Sequence, residues 1–254
     1  MRTLIKMLFT LSLFLVTIPA SADEIFSLKA GYISLNPSGQ VAATGAGIAG
    51  TRVDMDRDLG MSRSNGVMVE AALQLGDGRL SATYLPLKFT GTGTLQRTVN
   101  FNGQTYSAGS TVASTFKADI YDISYTYYLI NMDDAPSRLQ IGIDTSVKIT
   151  KAETTLNASA LGINQTRSAT IPIPTIGLRG RVALADFLGL SGRIGYLGYA
   201  GNHFLDGEAQ VEFSPLPMLG IFGGYRYIKL KVDNSGVFAD ARFSGPFAGA
   251  LFRF

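Results

Sequence analysis

The chain has 254 residues, with 22 lysines and arginines against 19 aspartates and glutamates. This near balance disfavours a nucleic-acid partner, which would select a strongly basic surface. Cysteine is absent, so backbone pairing and packing must hold the fold without disulfides. The 11 tyrosines, 15 phenylalanines and 29 glycines fit a transmembrane β-barrel, whose strands carry aromatic girdles and are joined by many turns.

The first 22 residues have the features of a secretory signal peptide. A basic start with Arg2 and Lys6 precedes an apolar stretch at 7–18, and the small residues Ala20-Ser21-Ala22 follow. The apolar stretch is shorter than the roughly 20 residues that a membrane-spanning helix needs. We therefore predict export to the outer membrane, cleavage at the end of segment 1–22, and one mature barrel domain at 23–254.

Period-two alternation of apolar and polar residues recurs along the mature chain and predicts β-strands. In the clearest case, Leu139, Ile141 and Ile143 share one face while Gln140 and Asp144 share the other. The pattern predicts an all-β fold, a closed antiparallel up-and-down transmembrane β-barrel of ten strands, with eight or twelve strands as alternatives. The predicted strands are 25–37, 53–76, 78–101, 104–131, 137–155, 168–185, 187–199, 204–214, 218–233 and 237–254.

Turn residues divide the connections into two classes, as in barrels with short periplasmic turns and longer extracellular loops. An even number of strands places both chain ends in the periplasm. The short turns are predicted at Gly76-Asp77-Gly78, Asn131 to Ser137, Ala185 to Gly189 and Ser214 to Pro217. The longer connections are predicted at Ser38 to Arg52, the Asn102-Gly103 region, Leu156 to Arg167, Ala200 to His203 and Asp233 to Gly236.

Asn102-Gly103, between two apolar runs, is a strong signal for a two-residue hairpin. We expect the third and fourth strands to continue there as a ribbon well outside the membrane. The tip of that ribbon is a candidate surface for adhesion.

Two predicted strands change phase part-way along. In 80–89 the apolar face changes near Pro86, which predicts a β-bulge because proline cannot donate to a strand ladder. In 221–232 Tyr225 and Tyr227 are out of phase with the apolar residues that follow, which a second bulge or a helically packed loop residue would explain.

Charged residues occupy the polar faces of these strands and form the candidate site. If the apolar faces meet lipid, six carboxylates and six cations point into one lumen. A barrel of about eight to ten strands is largely filled by its own side chains, so we expect these charges to pair, with a narrow polar conduit as the alternative. The inward set is Glu70, Asp122, Asp144, Asp206, Glu208, Glu212, Lys148, Arg179, Arg181, Arg193, Arg226 and Arg253.

Two weaker motifs suggest other chemistry. His203 is the single histidine, and an outer-membrane hydrolase acting on lipid or peptide would pair it with a nucleophile such as Ser191 or Ser214. The D-x-D-x-D run at 54–58 resembles the start of a calcium loop. It lacks the glycine and glutamate that an EF-hand needs at its sixth and twelfth positions, so it fits a strand extension equally well. We predict no catalytic, metal or cofactor site.

The C-terminal stretch 245–254, with Phe252 and Phe254 on one face, resembles the signature that outer-membrane proteins present to the barrel-assembly machinery. Together with 221–230, which contains Gly223-Gly224, and with 53–60, it is similar to a proteobacterial outer-membrane family named for a C-terminal Gly-Gly motif. That resemblance implies a location and a fold but no established activity. OmpW-type small barrels are a looser analogy.

The expected partners follow from this location. They are outer-membrane lipid and lipopolysaccharide, the barrel-assembly machinery and periplasmic chaperones, and we expect a monomer. The function predicted is non-enzymatic: structural, or a slow passage of small solutes through a narrow charge-lined lumen.

Overall fold

A computed structural model describes residues 25–132, 138–216, 218–234 and 236–254. The predicted signal peptide and most of the predicted turn before Arg138 lie outside these residues. Within the described ranges, no α-helix has the length and apolarity needed to cross a bilayer. The strands are β1 (Phe26–Ala43), β2 (Val53–Asp54), β3 (Ser64–Leu75), β4 (Gly78–Thr94), β5 (Val99–Phe101), β6 (Gln104–Tyr106), β7 (Thr111–Met132), β8 (Leu139–Ala158), β9 (Ile163–Ala185), β10 (Leu188–Tyr199), β11 (Asn202–Leu216), β12 (Leu219–Asn234) and β13 (Val237–Arg253).

Ten of these strands form a closed barrel, which confirms the predicted fold. Each barrel strand pairs antiparallel with the next one along the chain, and β13 pairs with β1 to close the cylinder. The closing ladder runs from Ser27 opposite Arg253 to Ala43 opposite Val237. Because every barrel strand has a neighbour on each side, the backbone can satisfy its hydrogen bonds inside a membrane.

The start of β1, the C-terminal residue Phe254 and the described short turns share one end of the barrel, which we assign to the periplasm. There the backbones of Phe26 and Phe254 exchange hydrogen bonds of 3.1 and 2.8 Å. At the other end, the predicted loop from Leu156 to Arg167 is mostly strand. β8 and β9 continue outward as a ribbon and are joined by a single turn of 3-10 helix at Ser159–Leu161.

The predicted strand 53–76 is wrong in its first part. Only Val53–Asp54 pairs with β1, and a turn follows before β3 begins. The Asp58 carboxylate accepts a hydrogen bond from the Asp54 amide at 3.0 Å, while the amides of Asp58 and Leu59 donate to the Asp54 carbonyl. The acidic run therefore stabilises a tight turn. This turn brings Met55 and Leu59 into the barrel mouth, where both are buried.

The predicted hairpin at Asn102-Gly103 is confirmed, with φ of 51° and 80°, but the long ribbon is wrong. β4 ends at Thr94, and the short β5–β6 hairpin folds back over the barrel. The Asn102 amide donates to the Ala43 carbonyl at 2.8 Å, and Tyr106 is 1% exposed. Folding back removes apolar surface from water, which an outward ribbon would leave exposed. We call segments 44–63 and 95–110 together the lid.

The bulge predicted near Pro86 is also wrong. The register of β4 against β7 is unbroken from Gly78 to Thr94, and Thr83, Leu85 and Phe89 all face inward. The polarity of the interior changes at this height instead. On β4 the inward residues change from polar Ser81 and Thr83 to apolar Leu85, Leu87 and Phe89 toward the outside.

The same change explains the phase of β12. Its pairing with β13 is continuous, so no bulge lies near Tyr225. Arg226 and Ile228 both face inward and are buried, while Tyr225 faces outward. The register shifts that do occur lie close to the periplasmic turns, for example between Leu188 and Gly189.

The ladder between β3 and β4 stops before the outer end of the barrel. These strands pair from Leu75 only up to Val69, opposite Tyr84. Above that height the lid meets β4: the Ser62 amide donates to the Thr90 carbonyl at 2.9 Å. Ser64, the first residue of β3, also contacts β4 there, because its hydroxyl accepts a hydrogen bond from the Lys88 amide at 2.8 Å.

An apolar belt surrounds the barrel and matches a lipid-facing surface. At the periplasmic rim, the rings of Phe187 and Phe213 lie 5.9 Å apart. At the opposite border, Tyr84 and Tyr121 stack at 5.0 Å, and the Lys151 ammonium lies 5.3 Å from the Tyr121 ring. Exposed members of the belt include Val67, Leu73, Leu80, Ile123, Tyr125, Ile143, Val147, Ile176, Leu178, Ile194, Tyr196, Val211 and Ile221.

The two adjacent glycines of β12 provide a test of this packing. A Cβ at Gly224 would lie 2.2 Å from the Ala209 carbonyl oxygen and 2.7 Å from the Phe247 ring, whereas a Cβ at Gly223 meets nothing closer than 3.8 Å. We expect Gly224→Ala to destabilise the barrel by about 1–3 kcal/mol. Gly223→Ala is the matched control, and the measurement is the temperature at which each purified variant loses its folded electrophoretic mobility. Equal stability of the two variants would contradict this packing.

Candidate functional site

The candidate site is the barrel lumen, because strand alternation turns the charged residues inward. The structure places all twelve predicted charged side chains inside the barrel. Most of these residues are buried; Arg181 is the most open of them, with 24% of its side chain exposed. Along the axis the interior has three levels: a charged periplasmic level, a charged middle level and an apolar outer level.

The middle level is a balanced ion cluster. Arg226 holds the Asp206 carboxylate with two hydrogen bonds, Nε to Oδ1 at 3.1 Å and Nη2 to Oδ2 at 2.8 Å. Arg193 donates from Nη1 to Asp122 Oδ2 at 2.8 Å, and Lys148 Nζ lies 3.0 Å from the same oxygen. We call this the middle cluster; its members are Lys148, Arg193, Arg226, Asp122, Asp206 and Glu208.

The periplasmic level has more cations than carboxylates. Glu212 is shared by Lys29 at 3.0 Å, by Arg181 at 3.5 Å, and by Arg253. Two further ion pairs stand beside it, Arg79 with Glu70 at 3.1 Å and Arg179 with Asp144 at 3.4 Å. We call this the periplasmic cluster; its members are Lys29, Arg79, Arg179, Arg181, Arg253, Glu70, Asp144 and Glu212.

Sequence reasoning missed Lys29 and Arg79. Lys29 alternates with Leu28 on β1, so its parity was sufficient to place it inside. Arg79 belongs to the inward face of β4, and the apparent phase change near Pro86 obscured that face. Both residues belong in the site because they contact buried carboxylates.

The outer level is an apolar plug that continues into the lid. Three rings pack at its centre, with Phe243 lying 5.0 Å from Phe89 and 5.9 Å from Phe116. Ile33 and Leu35 are fully buried beside them, and lid residues complete one contiguous cluster. Burial in this apolar setting raises the pKa of the lid residue Tyr106.

Two cavities open at the periplasmic mouth. One has a volume of about 50 Å³ and is bordered by residues of the periplasmic cluster. The other, of about 30 Å³, lies beside the turn residues Asp186 and Phe187 and shares Arg181, Glu212 and Arg253 with the first. The middle cluster and the plug occupy the lumen between these cavities and the outside.

The geometry excludes the proposed His203 dyads. Ser191 lies opposite Gln210 on β11, seven residues from His203, which at a rise of about 3.3 Å per residue is about 23 Å. Ser214 is eleven residues from His203, or about 36 Å along the same strand. Hydrogen-bonded catalysis needs about 3 Å. Within the described ranges, no group of three or more histidine, cysteine, aspartate or glutamate residues could hold a metal ion.

No protein-family profile matches the chain, and no curated protein matches its sequence. Among solved structures, it is similar to Neisserial surface protein A, with 14% identity, a TM-score of 0.38, and 93% of this chain and 100% of that chain covered. It is also similar to Ail, the attachment invasion locus protein of Yersinia pestis, with 13% identity, a TM-score of 0.37, and 91% and 100% covered. The translocator domain of the autotransporter NalP from Neisseria meningitidis has 11% identity, a TM-score of 0.48, and 100% and 95% covered. Identities this low say nothing about a shared activity.

Breaking the middle cluster tests its part in stability. Arg226→Met leaves Asp206 and Glu208 buried with too little compensating charge, which we expect to destabilise the barrel by about 3–5 kcal/mol. The control is Glu153→Gln, which removes a half-exposed ion pair with Lys117 and should change stability by less than about 1 kcal/mol. Urea unfolding of both variants in lipid vesicles measures the difference. A loss no larger than that of the control would contradict the buried network.

Proposed function

We propose that this protein is a closed, non-enzymatic outer-membrane barrel with a structural role in the envelope. The observation that carries the proposal is the filled lumen. The charges of the middle cluster neutralise one another, and the plug above them consists of apolar side chains buried against the lid. The described apolar side chains of the plug therefore separate the charged levels from the outside.

The plug is the stronger barrier to passage. An ion entering the plug would leave water for a dense apolar interior. Burying an unpaired charge there costs too much free energy for ions to pass. Hydrophobic constrictions block conduction even without complete steric closure, because water leaves them. This favours the structural role over slow passage of polar solutes.

The alternatives gain little support. Hydrolysis by His203 is not supported, because the two candidate nucleophiles, Ser191 and Ser214, lie far from it along the strands. Adhesion through Asn102-Gly103 would need a free hairpin tip. That tip packs against Gly45 so closely that a Cβ there would lie 2.6 Å from the Asn102 carbonyl carbon.

Location and partners follow from the surface of the barrel. Phe252 and Phe254 are half exposed to the lipid side and suit recognition by the barrel-assembly machinery, with periplasmic chaperones delivering the chain. Lys88, Lys117 and Lys151 stand above the aromatic border, where lipopolysaccharide phosphates would lie. Membership of the Gly-Gly family and a monomeric state belong to the same proposal.

Planar-bilayer recording tests the closed lumen. In 1 M KCl we expect the purified barrel to give no reproducible single-channel steps, while a general porin added to the same bilayer gives them. Reproducible steps from the wild-type barrel would overturn the structural proposal.

The envelope role is tested in cells that lack the protein. We expect increased uptake of a hydrophobic fluorescent dye, restored to normal by the wild-type chain and by the lid variant Arg57→Gln. We expect Arg226→Met, which destabilises the barrel, to lower dye uptake less than the wild-type chain does. Unchanged dye uptake in the absence of the protein would argue against a structural role.

A further inference from the structure

The excess positive charge of the lumen lies at one level. Among the described inward side chains, the middle cluster has three cations and three carboxylates, whereas the periplasmic cluster has five cations and three carboxylates. Of these two clusters, as far as the chain is described, the periplasmic cluster is the one whose cations outnumber its carboxylates. Charges removed from water need opposite charges nearby, and the described carboxylates of this cluster are fewer than its cations.

Some arginine donors of this cluster also lack acceptors. Arg179 is 9% exposed, yet its Nη2 has no hydrogen-bond partner in the described part of the chain. The Nε atom of Arg79 is likewise buried without a hydrogen-bond partner among the described residues. An unsatisfied buried donor costs free energy, which an additional acceptor would recover.

The cavity beside these donors has the size and lining for a small anion. It is bordered by all five cations of the periplasmic cluster, with Glu212 as the single carboxylate on its surface. Its volume of about 50 Å³ exceeds the roughly 10–15 Å³ that one water requires. A group of four or five heavy atoms therefore fits. Because the cavity lies at the periplasmic mouth, a solute can reach it without crossing the membrane.

We propose that the periplasmic cluster is a binding site for a phosphate group that enters from the periplasm. Guanidinium groups present paired donors that match phosphate oxygens, and four of the five cations are arginines. A phosphate carries one to two negative charges, which suits a cavity bordered by five cations and, among the described residues, one carboxylate. The Glu212 carboxylate holds Lys29, Arg181 and Arg253 around the cavity and so positions the donors.

Two sources share this chemistry. One is free inorganic phosphate, and the other is the headgroup of a phospholipid in the inner leaflet. The second source is within reach because the smaller cavity, which shares Arg181, Glu212 and Arg253 with the larger one, borders Phe187 of the aromatic rim, where headgroups meet an aromatic girdle.

Calorimetric titration of the purified barrel in octyl glucoside, without phosphate in the buffer, tests the site. Inorganic phosphate is the first probe, and dihexanoyl-phosphatidylglycerol below its micelle concentration is the second. We expect one of them to bind at one site per barrel. Arg181→Gln, which leaves Lys29 and Arg253 on Glu212, should weaken that binding about tenfold, the equivalent of one lost charge-assisted hydrogen bond.

The control is Arg57→Gln, the same change on the exposed surface of the lid, which should bind like the wild type. Arg181→Lys keeps the charge but lacks the paired guanidinium donors. We expect its affinity to lie between those of the wild type and Arg181→Gln. This variant keeps the test usable if Arg181→Gln folds poorly. Binding of inorganic phosphate identifies the free ion, and binding of the lipid alone identifies the headgroup. If neither probe binds the wild type, or if Arg57→Gln weakens binding equally, the proposal is overturned.

Discussion

Closure of the strand ladder is the constraint on which the rest of this structure depends. A bilayer offers no hydrogen-bond partners, so each backbone group in the membrane must be paired by a neighbouring strand, and the pairing of β13 with β1 completes that requirement. Closure then forces alternate side chains into a lumen too narrow to leave open at about ten strands. What fills that lumen decides what the protein can do.

The side chains that fill the lumen differ with height along the barrel axis. Salt bridges occupy the periplasmic and middle levels, where Arg226 with Asp206 and Arg193 with Asp122 satisfy one another. Above them, Phe89 and its neighbours pack against a lid that shields them from water. The lumen is thus filled like the interior of a soluble protein, with charged levels on the periplasmic side and an apolar level on the outer side. Its described cations outnumber its carboxylates at the periplasmic mouth, where solvent enters.

Much of this could be predicted from the sequence, because alternation encodes which side of a strand faces lipid. The spacing from Leu139 to Ile149 located β8, and parity alone placed Asp122 and Arg193 inside. It could not show that these two meet, since they are 71 residues apart and their contact depends on the stagger of the whole barrel. Parity also failed where the interior changes polarity, and so Leu85 and Ile228 suggested bulges that do not exist. The lid escaped prediction because its burial depends on tertiary contacts of Asp58, Val99 and Tyr106.

The incomplete ladder between β3 and β4 gives the lid a second role as part of the wall. Above Val69 and Tyr84, segment 44–63 supplies the partners that β4 would otherwise find in β3. Displacing the lid would therefore uncover the side of the cylinder as well as its end, and would expose an unpaired strand edge, a surface that attracts other chains. The stability of the outer rim therefore depends on the lid, whose backbone is hydrogen-bonded to β4.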